Sequence, residues 1–559
     1  MKTDCDVLIV GAGPVGLTLA VELQRFGLSC RIIDQCAQPT DKSKALVVWP
    51  RTLELLDRAG IADNFVAAGM WAKGARMFGG GKQLVHVEVH LEDTIYPGPL
   101  MIAQNETERL LNETLTRRGL PVERSVELVR CEDHGNYVTS TLRHADGKEE
   151  QMTSGWIAGC DGSHSTVRKQ IGVDFKGEFE PNDWILGDTM VDGPLTQNEI
   201  SAYWHADGVA IFFPFSTPGR FRVICDMGPA PSTGKPADPT LAQVQKLVNE
   251  RGPGGLRLHD PIWLSGFRIH ERKVDEYSKG RAFLCGDAAH IHSPAGGQGM
   301  NTGMQDAFNL AWKLALVHEG HARPSLLKSY TQERNAVGEM VLHNAGMFTR
   351  VAMIRNPVLQ SLRNHLISIA GRFSAVQQRA ISQLTELGIH YSNSPLNGDD
   401  PGKAWRGKVV VGDRLPEAEL IATASGKTTR LLSAIGGEKH TLLVMPQSTV
   451  DGARRRSAEE ALLNEARQLH EEFGDILHVL LVLPHDSNGK LEIELPSELI
   501  AGVYLDSKNQ LRDRLGLRET AIALVRPDGY IGFRGHEKSH GALHAHLEKY
   551  LLPSPALVA

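Results

Sequence analysis

The first residues whose types and spacing could do chemistry form a glycine-rich turn near the amino terminus. An apolar run leads into Gly11, Gly13 and Gly16, and the pattern after them is that of an amphipathic helix. Gly11 permits a tight turn, Gly13 lets a pyrophosphate approach the backbone, and Gly16 lets the helix pack closely on the strand. A second strand pattern ends at Asp34, where a carboxylate can accept hydrogen bonds from ribose hydroxyls. These features predict a bound dinucleotide, although the turn alone does not separate FAD from NAD.

Two later segments favour FAD. Residues 160–162, Cys-Asp-Gly, follow a strand pattern, and another strand pattern ends at Gly286 and Asp287. The acid of this second segment can hydrogen-bond a ribityl chain, and the glycines within residues 296–299 bring bare backbone up to a flat ring. A flavoprotein needs such further contacts because its cofactor is long and permanently bound.

A helix is predicted directly after the glycines. Thr302 and Gln305 have the types and spacing of a capping box, which predicts that the helix begins there. Its positive end would then face whatever lies above the glycines. Reduced flavin carries negative charge near N1 and the C2 carbonyl, and a helix amino terminus stabilises such charge without a side chain.

The three motifs, in this order, resemble the signatures of the class A flavoprotein monooxygenases, the p-hydroxybenzoate hydroxylase-like family. Residues 286–315 are most similar to the phenol 2-monooxygenase branch, and the resemblance covers about the first 395 residues. It implies one bound FAD, no separate nicotinamide domain, and a substrate site between the flavin domain and an inserted sheet. Two positions depart from the pattern. Lys44 stands where the family often has arginine, which loses bidentate phosphate geometry, and Ser293 replaces the first residue of a frequent Pro-Pro pair.

The resemblance also implies cofactor contacts by position. Asp34 is expected on the adenosine ribose, and Pro294 and residues 297–301 are expected to flank the isoalloxazine ring. The full set of expected FAD contacts is Gly11, Gly13, Pro14, Val15, Gly16, Asp34, Lys44, Gln104, Val126, Asp161, Gly286, Asp287, Pro294, Gly297, Gly299, Met300 and Asn301.

The same resemblance implies the reaction. NAD(P)H would reduce FAD, the reduced flavin would capture O2 as a C4a-hydroperoxide, and the terminal oxygen would pass to a carbon ortho or para to a phenolic hydroxyl. The candidate catalytic residues are Pro294, His292 and Arg220. For His292 the alternative is a histidine simply hydrogen-bonded within its loop. Arg220 resembles an arginine of the middle sheet that lies near the ring.

Apolar and aromatic runs predict the wall of a pocket for an aromatic substrate, with Val48, Phe213 and Pro214 among its lining residues. These runs suit both a simple phenol and a larger polyketide-like phenol. Epoxidation or Baeyer–Villiger oxidation on the same scaffold is the alternative chemistry, and a flavoprotein that only binds or senses is a third hypothesis. Halogenation is disfavoured because none of the tryptophans lies in the W-x-W-x-I-P spacing of flavin halogenases.

The order of strand and helix patterns along the chain predicts a fold of α/β and α+β class, whose elements would position these residues. A Rossmann-like FAD-binding domain of the glutathione reductase type is predicted in two parts, residues 1–175 and 276–395, the second ending in a helical segment. Short aromatic and β-branched runs predict a substrate-binding β-sheet domain inserted at 176–275. Turn formers at 393–402 indicate a boundary. Residues 396–559 resemble the thioredoxin-like domain appended to phenol hydroxylase-type enzymes.

Composition and charge limit the partners. A chain of 559 residues with a net charge of -6 has no general basic field, so no nucleic acid and no membrane partner is expected. The first strand pattern begins too close to the amino terminus for a signal peptide, which favours the cytoplasm. The seven cysteines are scattered and indicate buried free thiols. The expected partners are therefore an aromatic small molecule, O2 and NAD(P)H, with a homodimer left open.

Three further patterns are interpreted as structural. Several histidines near the carboxyl terminus include the i, i+4 spacing of a helical metal site, but an exposed polar face is the favoured interpretation and no metal is expected. Residues 79–82, Gly-Gly-Gly-Lys, lack the serine or threonine of a phosphate loop and predict a hairpin turn. No cysteine follows Cys285, so the carboxy-terminal domain cannot exchange thiols, and a structural or dimer-related role is expected. The carboxy-terminal histidines of the first pattern are His536, His540, His544 and His546.

Overall fold

The computed structural model describes residues 3–229, 236–294, 296–447, 460, 464, 466–487 and 500–553. Its strands are β1 (Cys5–Val10), β2 (Cys30–Asp34), β3 (Val47–Val48), β4 (Met70–Trp71), β5 (Gly74–Gly79), β6 (Lys82–Glu88), β7 (Leu100–Met101), β8 (Glu123–Arg124), β9 (Glu127–Asp133), β10 (Val138–Arg143), β11 (Glu149–Gly159), β12 (Lys176–Asp192), β13 (Glu199–His205), β14 (Gly208–Pro214), β15 (Arg220–Pro229), β16 (Arg257–Lys273), β17 (Ser278–Lys279), β18 (Ala282–Leu284), β19 (His290–Ile291), β20 (Gly398–Asp399), β21 (Glu419–Ala422), β22 (Thr428–Arg430), β23 (His440–Met445), β24 (Leu477–Pro484), β25 (Ile500–Asp506), β26 (Ala521–Val525) and β27 (Ile531–His536). Its helices are α1 (Pro14–Arg25), α2 (Pro50–Arg58), α3 (Ala62–Ala68), α4 (Gln104–Arg117), α5 (Thr166–Gln170), α6 (Leu241–Arg251), α7 (Gly299–His318), α8 (Lys328–Ala352), α9 (Pro357–Ala370), α10 (Ser374–Leu384), α11 (Leu431–Ala434), α12 (466–473), α13 (Gln510–Leu515) and α14 (His540–Leu547). Short 3-10 helices lie at Gly286–Ala288, Pro324–Leu327 and His485–Ser487.

The first sheet carries the amino-terminal motif. Its strands run in the order β17-β18-β11-β1-β2-β8, with β10 and β9 attached beyond β11. Strands β18, β11, β1, β2 and β8 are parallel. Val7, Leu8 and Ile9 of β1 are fully buried, as expected for a strand that is covered on both faces. Helix α1 packs against both β1 and α7. The mixed α/β architecture confirms the predicted fold class at this level.

The second sheet runs in the order β19-β16-β12-β15-β14-β13-β5-β6. Strands β12 to β16 lie in the segment predicted to form an inserted sheet, and β5, β6 and β19 join them from outside residues 176–275. The hairpin of β5 and β6 turns at Gly80 and Gly81, which both have positive φ. Strand β5 pairs in parallel with β13. The sheet is therefore assembled from segments on both sides of the insertion.

Helices α7 to α10 form the segment between the glycine loop and the third sheet. Pro324 starts a 3-10 helix and Pro357 is the first residue of α9, because proline fits the first turn of a helix but not its interior. Helix α7 is buried along nearly its whole length. It can therefore hold residues at its amino terminus in fixed positions.

The third sheet runs in the order β20-β27-β26-β23-β24-β25-β21-β22. Strands β23, β24 and β25 are parallel, whereas β26 is antiparallel to β23 and β27 is antiparallel to β26. Strand β20 lies within the turn-rich segment 393–402 and already pairs with β27. The chain thus enters this sheet inside the predicted boundary segment.

Within the described ranges, no helix is long and apolar enough to cross a membrane. Among the same residues, no group of three or more His, Cys, Asp or Glu side chains could hold a metal ion. His544 pairs with Glu472 at 2.6 Å, and His546 is 1% exposed beside the Phe533 ring. The predicted exposed polar face is therefore wrong at His546, because α14 packs this side against β27. All seven cysteines are free, and Cys36 is exposed rather than buried.

Candidate active site

The predicted motifs meet at one edge of the first sheet. Because β1, β2, β11 and β18 are parallel, their carboxyl ends lie side by side. These ends lead into Gly11, Asp34, Cys160 and Cys285, and so into the glycine turn, the expected ribose acid and the two later segments. Ligands of open α/β sheets bind at the carboxyl ends of the strands. This edge is therefore the candidate dinucleotide site.

The glycine turn has the geometry that its sequence predicts. Gly11 has a φ of 102°, and a Cβ atom there would lie 2.4 Å from the carbonyl oxygen of Cys160. A Cβ atom on Gly16 would lie 1.9 Å from the carbonyl oxygen of Gly11. In contrast, a Cβ atom on Gly13 would meet no atom within 4 Å. The Gly13 backbone thus faces open space beside Pro14, the first residue of α1, and the turn fits a phosphate group.

The Asp34 carboxylate is held against this turn. Its Oδ2 atom accepts a hydrogen bond from the backbone N–H of Ala12 at 2.7 Å, and its Oδ1 atom accepts one from Cys36 at 2.8 Å. The Arg124 guanidinium lies 3.7 Å from Oδ2, and the backbone N–H of Val126 donates to the Asp34 carbonyl. The expected ribose acid and Val126 therefore lie side by side at the edge of the sheet.

The loop that contains Lys44 is fixed from two sides. The Gln104 Oε1 atom accepts a hydrogen bond from the backbone N–H of Ala45 at 3.0 Å. From the inserted sheet, the buried Arg222 guanidinium donates to the Lys44 carbonyl at 2.9 Å and pairs with Asp188 at 2.8 Å. The position of the Lys44 loop thus depends on both the flavin domain and the inserted sheet.

The Gly286–Asp287 turn lies opposite the Lys44 ammonium. Gly286 has a φ of 59°, and its backbone N–H donates to the Asp306 carboxylate at 2.9 Å. The Asp287 side chain is exposed. Surrounding protein nevertheless raises the pKa of Asp287 through desolvation, while His290 and Lys44 act in the opposite direction. A carboxylate in this position can accept hydrogen bonds from a hydroxylated chain such as ribityl.

Two other expected FAD contacts also have roles within the protein. Val15 packs on the second motif, since a Cβ atom on Gly286 would lie 2.8 Å from a Val15 methyl group. The Asp161 carboxylate caps α5, because it accepts hydrogen bonds from the backbone N–H groups of Thr166 at 2.6 Å and Val167 at 3.3 Å. Their contact with FAD stays a prediction.

The expected ring loop is tied to β3 by Trp49. The Trp49 indole N–H lies 3.1 Å from the Gly296 carbonyl oxygen and 3.2 Å from that of Gly297. Asn301 accepts from the backbone N–H of Trp49 at 2.8 Å and donates to the Val47 carbonyl at 2.9 Å. Gly296 and Gly297 both have positive φ. The loop is therefore a fixed backbone surface.

Helix α7 begins at Gly299, followed by Met300, and the predicted capping box at its start is wrong. No side chain caps the helix at Gln298. Thr302 lies inside the first turns, where its hydroxyl donates to Glu386 at 3.0 Å, and the Gln305 amide also donates to Glu386. The residue that precedes the helix is thus Gln298, four positions before Thr302, whose hydroxyl is bound to Glu386 instead of capping the helix. The amide groups at the start of α7 are therefore not capped by a side chain.

An apolar wall adjoins the ring loop. Phe213 packs at its edge, and Pro214 is buried beside it on β14. Val48, however, is fully buried in the flavin-domain core, whereas its neighbour Val47 lies on the wall, because successive side chains of a strand point to opposite faces. The wall consists of Leu46, Val47, Trp49, Ala72, Met101 and Phe215, edged by Met70, Ala103 and Phe213.

Arg220 is half-buried at this wall. Its guanidinium lies over the Phe215 ring, 4.1 Å from the ring centroid, and 3.9 Å from the Asp188 carboxylate. Desolvation lowers its pKa from the ordinary arginine value. The closer partner of Asp188 is Arg222, which lies two residues after Arg220 on the same face of β15. Arg220 is therefore the arginine beside the aromatic wall, and Arg222 is the one that holds the Lys44 loop.

His292 and Pro294 lie on the loop that precedes the glycines. The His292 Nδ1 atom lies 2.8 Å from the Ser293 carbonyl oxygen. Burial lowers the pKa of His292 to about 4, so the ring is neutral at neutral pH, with its proton on Nδ1. This geometry matches the alternative of a histidine hydrogen-bonded within its loop. Pro294 is exposed beside the ring loop.

Glu386 is a buried carboxyl group that the sequence did not single out. It is 1% exposed, has a φ of 61°, and contacts Thr302 and Gln305 of α7. Burial raises the pKa of Glu386 from 4.5 to about 8. The Oε1 atom of the Gln305 amide has no hydrogen-bond partner among the described residues. Burial therefore favours the neutral form of the Glu386 carboxyl group at neutral pH.

Glu386→Gln is expected to remove a pH dependence of stability. Because the folded state holds the Glu386 proton up to about pH 8, unfolding releases that proton between about pH 4.5 and 8. The wild-type free energy of unfolding therefore falls as pH rises through this window. Glutamine mimics the neutral acid, so the variant gains stability relative to wild type as pH rises, by up to several kcal/mol (~1.4 kcal/mol per pKa unit). Urea unfolding at about pH 5 and about pH 9 measures this difference. Glu250→Gln, at an exposed site on α6, is the control and leaves it unchanged.

Three contacts at the site were not predicted: those of Trp49, Arg222 and Asp306. The alternation of side chains along β15 could have indicated Arg222, since residues two apart share one face of a strand. The four-residue interval between Thr302 and Asp306 could have placed both on one side of α7. No sequence signal points to the Trp49 contacts, which join residues more than 240 positions apart.

The donors and acceptors at this edge fit a flavin dinucleotide. Open backbone at Gly13 can take a phosphate, Asp34 and Asp287 can take hydroxyl groups, and the backbone around Gly297 can meet a flat ring. Together with the inserted sheet, the site fits the class of flavin-dependent monooxygenases that the sequence motifs resemble.

Comparisons with known proteins agree with this class. Residues 4–345 match the family described as "FAD binding domain". The chain is 36% identical over 560 residues to a 6-methylpretetramide 4-monooxygenase from Streptomyces rimosus, covering 98% of this chain and 94% of the relative. It is 31% identical over 541 residues to a pentachlorophenol 4-monooxygenase from Sphingobium chlorophenolicum, covering 95% and 94%. The structure of an anhydrotetracycline hydroxylase from Streptomyces rimosus superposes with a TM-score of 0.73 at 27% identity, covering 98% of this chain and 100% of that one. The chain belongs to the FAD-binding family of flavin-dependent aromatic monooxygenases.

Proposed function

We propose that this enzyme uses NAD(P)H and O2 to hydroxylate a phenolic ring of a polyketide-like, fused-ring compound. The observation that carries the proposal is the apolar wall of Trp49, Phe213 and Phe215 directly beside the ring loop. Such a wall suits a flat aromatic substrate. The relative named for 6-methylpretetramide is 36% identical to this chain, against 31% for the relative named for pentachlorophenol, which favours a fused-ring substrate over a simple phenol.

The overall reaction balances as phenol, O2, NAD(P)H and one proton giving hydroxylated phenol, water and NAD(P)+. One oxygen atom enters the ring in place of hydrogen, the other leaves as water, and NAD(P)H supplies two electrons. Bound FAD supplies the hydride acceptance and the activation of O2. Of the expected contacts, Gly13, Asp34 and Asp287 would hold its phosphates, ribose and ribityl chain, and Lys44 would lie beside Asp287.

The chain's own contribution is positioning and exclusion of water. The Trp49 and Asn301 hydrogen bonds fix the backbone on which the ring would rest. The apolar wall keeps water from the reacting atoms. Arg220, with its guanidinium on the Phe215 face, is a fixed positive charge that favours the phenolate form of a bound substrate.

Anaerobic reduction and aerobic turnover test the proposal. NADPH and NADH are each mixed with the FAD-loaded protein, with no phenol, with a one-ring phenol, or with a fused-ring phenol, and flavin absorbance, product and hydrogen peroxide are followed. We expect the fused-ring phenol to accelerate flavin reduction and to gain one oxygen atom, which mass spectrometry with 18O2 detects. An epoxide or a lactone product would support the alternative chemistry. A protein that neither binds FAD nor oxidises NAD(P)H would contradict the proposal.

Trp49→Phe is expected to uncouple NAD(P)H oxidation from hydroxylation. The variant keeps an aromatic ring on the wall but loses the hydrogen bonds to the Gly296 and Gly297 carbonyls. Loss of about 1 kcal/mol of support for this loop corresponds to roughly a fivefold rise in hydrogen peroxide released per NAD(P)H oxidised. Trp263→Phe, on β16 of the inserted sheet and outside this wall, is the matched control. Equal coupling in the two variants would show that the indole N–H does not position the loop.

Four finer assignments belong to the same proposal. The carboxy-terminal domain is assigned a thioredoxin-like fold, supported by parallel β23 and β24, by β26 antiparallel to β23, and by β27 and α14 that follow. It has no cysteine, so its role is structural. The phenol 2-monooxygenase branch and a cytoplasmic location also remain proposals, as does a homodimer.

A further inference from the structure

Helix α9 differs from an ordinary surface helix, because its inward face carries Gln360 and Arg363 beside Ile367, whereas most of its large apolar side chains are exposed. The Gln360 amide donates to the Ala206 carbonyl at 3.2 Å. The Arg363 guanidinium, on an arginine that is 6% exposed, lies 4.6 Å from the centroid of the Trp204 ring and donates to the Ala352 carbonyl. In a surface helix of a globular protein the apolar face normally packs inward. The outward face of α9 therefore needs a separate explanation.

The outward face carries an apolar stripe, here termed the α9 seam. Its members are Leu359, Leu362, Leu366, Ile369 and Phe373, whose side chains are 51, 53, 56, 41 and 59% exposed. The four members on α9 are spaced by three, four and three residues, which is the spacing of a coiled-coil seam, and Phe373 follows at the start of α10. Such a stripe is narrower than the face of a helix that packs on a core or lies on a bilayer. It suits another helix.

The charges around α9 differ at its two ends. Residues 340–385 contain five arginines and no Asp or Glu, in a chain whose net charge is -6. At the carboxyl end, Arg372 and Arg379 are exposed and have no ion-pair partner among the described residues. At the amino end, Arg355 is paired with the buried Asp226 at 3.2 Å. The turn between β13 and β14 packs on this end of α9 through Gln360, and it carries Asp207, whose side chain is 79% exposed.

We propose that the α9 seam is the interface of a homodimer in which two copies of α9 pack antiparallel about a two-fold axis. In this arrangement the carboxyl end of each helix lies against the amino end of the other, so Arg372 of each copy approaches Asp207 of the other over the ~21 Å length of the helix. A parallel arrangement would instead bring Arg372 against Arg372.

The neighbouring surface is suited to the rim of this interface. A stable interface buries roughly 800 Å² per partner, more than the seam alone provides. Helices α8 to α10 carry further exposed apolar side chains that could add to this area: Met347, Phe348, Val358 and Val376, exposed by 50, 40, 75 and 48%. A second copy explains both the apolar stripe and the opposite charges at its ends, whereas an anionic bilayer would explain only the arginines.

The interface would also support the candidate active site. Gln298, next to the ring loop, donates to the Gln383 carbonyl at the end of α10 at 2.9 Å. A Cβ atom on Gly296 would lie 3.4 Å from a Leu384 methyl group. Dimerisation would therefore hold the α9–α10 pair against the loop. The interface rests on the homodimer named under the proposed function. Because its test measures the mass of the particle and not the reaction, the interface can be disproved without affecting the proposed chemistry.

Sedimentation velocity of the full-length, FAD-loaded protein at micromolar concentration tests the interface. We expect wild type to be dimeric and the double variant Leu362→Asp, Leu366→Asp to be monomeric with its FAD content unchanged. Ile262→Asp, at a position of β16 that is 61% exposed and outside the seam, is the control and stays dimeric. A monomeric wild type, or a dimeric seam variant, would overturn the proposal.

A charge exchange tests the antiparallel orientation. Arg372→Asp and Asp207→Arg are each expected to weaken the dimer at least about tenfold (~1.4 kcal/mol), and the two together are expected to restore most of the affinity. A combined variant weaker than either single variant would overturn the antiparallel arrangement. Co-sedimentation with anionic phospholipid vesicles is measured in parallel. Binding by wild type that the seam variant loses, with wild type monomeric in solution, would assign the seam to lipid instead.

Discussion

Asp306→Asn is expected to yield a protein that no longer retains FAD. Asp306 is fully buried and binds the backbone N–H of Gly286, the His290 ring at 2.9 Å and the Arg334 guanidinium at 2.6 Å. Burial would raise the pKa of Asp306, but the Arg334 and His290 charges lower it below its ordinary value, so the carboxylate is ionised. The variant leaves the buried Arg334 without its anion, which costs about 3–5 kcal/mol. It also loosens the Gly286 turn.

The readout is the dissociation constant of FAD together with the thermal midpoint. Asp306→Asn is expected to raise the dissociation constant at least about tenfold (~1.4 kcal/mol) and to lower the midpoint. Asp226→Asn is the matched control, because Asp226 is also fully buried and pairs with Arg251 at 2.9 Å, but within the inserted sheet. The control should lose comparable stability and keep its affinity for FAD. Equal FAD affinities in the two variants would refute the positioning role of Asp306.

Asp306 also belongs to a buried polar network that reaches the carboxy-terminal domain. Arg334 donates to the Tyr391 hydroxyl at 3.0 Å. The adjacent Glu333 accepts from Arg526 at 2.6 Å, and Arg526 pairs with Asp528 of the same domain. Because removing one member of a buried network leaves the others unpaired, the third sheet and the Gly286 turn are energetically coupled. This coupling supports the structural role proposed for the carboxy-terminal domain, which has no cysteine.

The sequence predicted the parts of the site whose chemistry demands a particular residue type. Gly11 and Gly16 were predictable because no side chain fits there, and Asp34 because a ribose acid must follow the second strand. The parallel order of the first sheet then brings these positions together. Local rules therefore sufficed for the cofactor edge.

Local rules failed where long-range pairing decides the outcome. The capping box at Thr302 was overridden because Glu386, which lies 84 positions away, takes the hydroxyl. Strands β5 and β6 join the inserted sheet by parallel pairing with β13, more than 100 residues later, which no periodicity in the sequence encodes. Val48 was expected in the pocket, and its orientation depends on the register of β3 with β7. Each of these outcomes depends on contacts between distant segments.

Arg222→Met is expected to release the Lys44 loop and to impair both cofactor binding and turnover. The Arg222 guanidinium is 2% exposed, donates both to the Lys44 carbonyl and to Ser43, and makes two hydrogen bonds to Asp188. Methionine fills similar volume but removes the close partner of the buried Asp188 carboxylate and leaves it only the Arg220 guanidinium at 3.9 Å, at a cost of up to about 3–5 kcal/mol. The double variant with Asp188→Asn removes that charge, so it should recover stability without restoring the loop.

This separation makes the role of Arg222 measurable. If Arg222 positions the loop, the single and double variants share a raised dissociation constant for FAD and a raised KM for NAD(P)H, although only the single variant unfolds early. Arg268→Met is the matched control on the same sheet, since Arg268 pairs with Asp183 at 2.9 Å, and neither residue contacts the Lys44 loop. Recovery of cofactor affinity along with stability in the double variant would mean that Arg222 serves only to neutralise Asp188. Weak cofactor binding in both variants would mean that the inserted sheet controls cofactor binding through Arg222. The Asp188→Asn substitution removes the buried charge, but it cannot replace the hydrogen bonds that Arg222 donates to the Ser43 and Lys44 carbonyls.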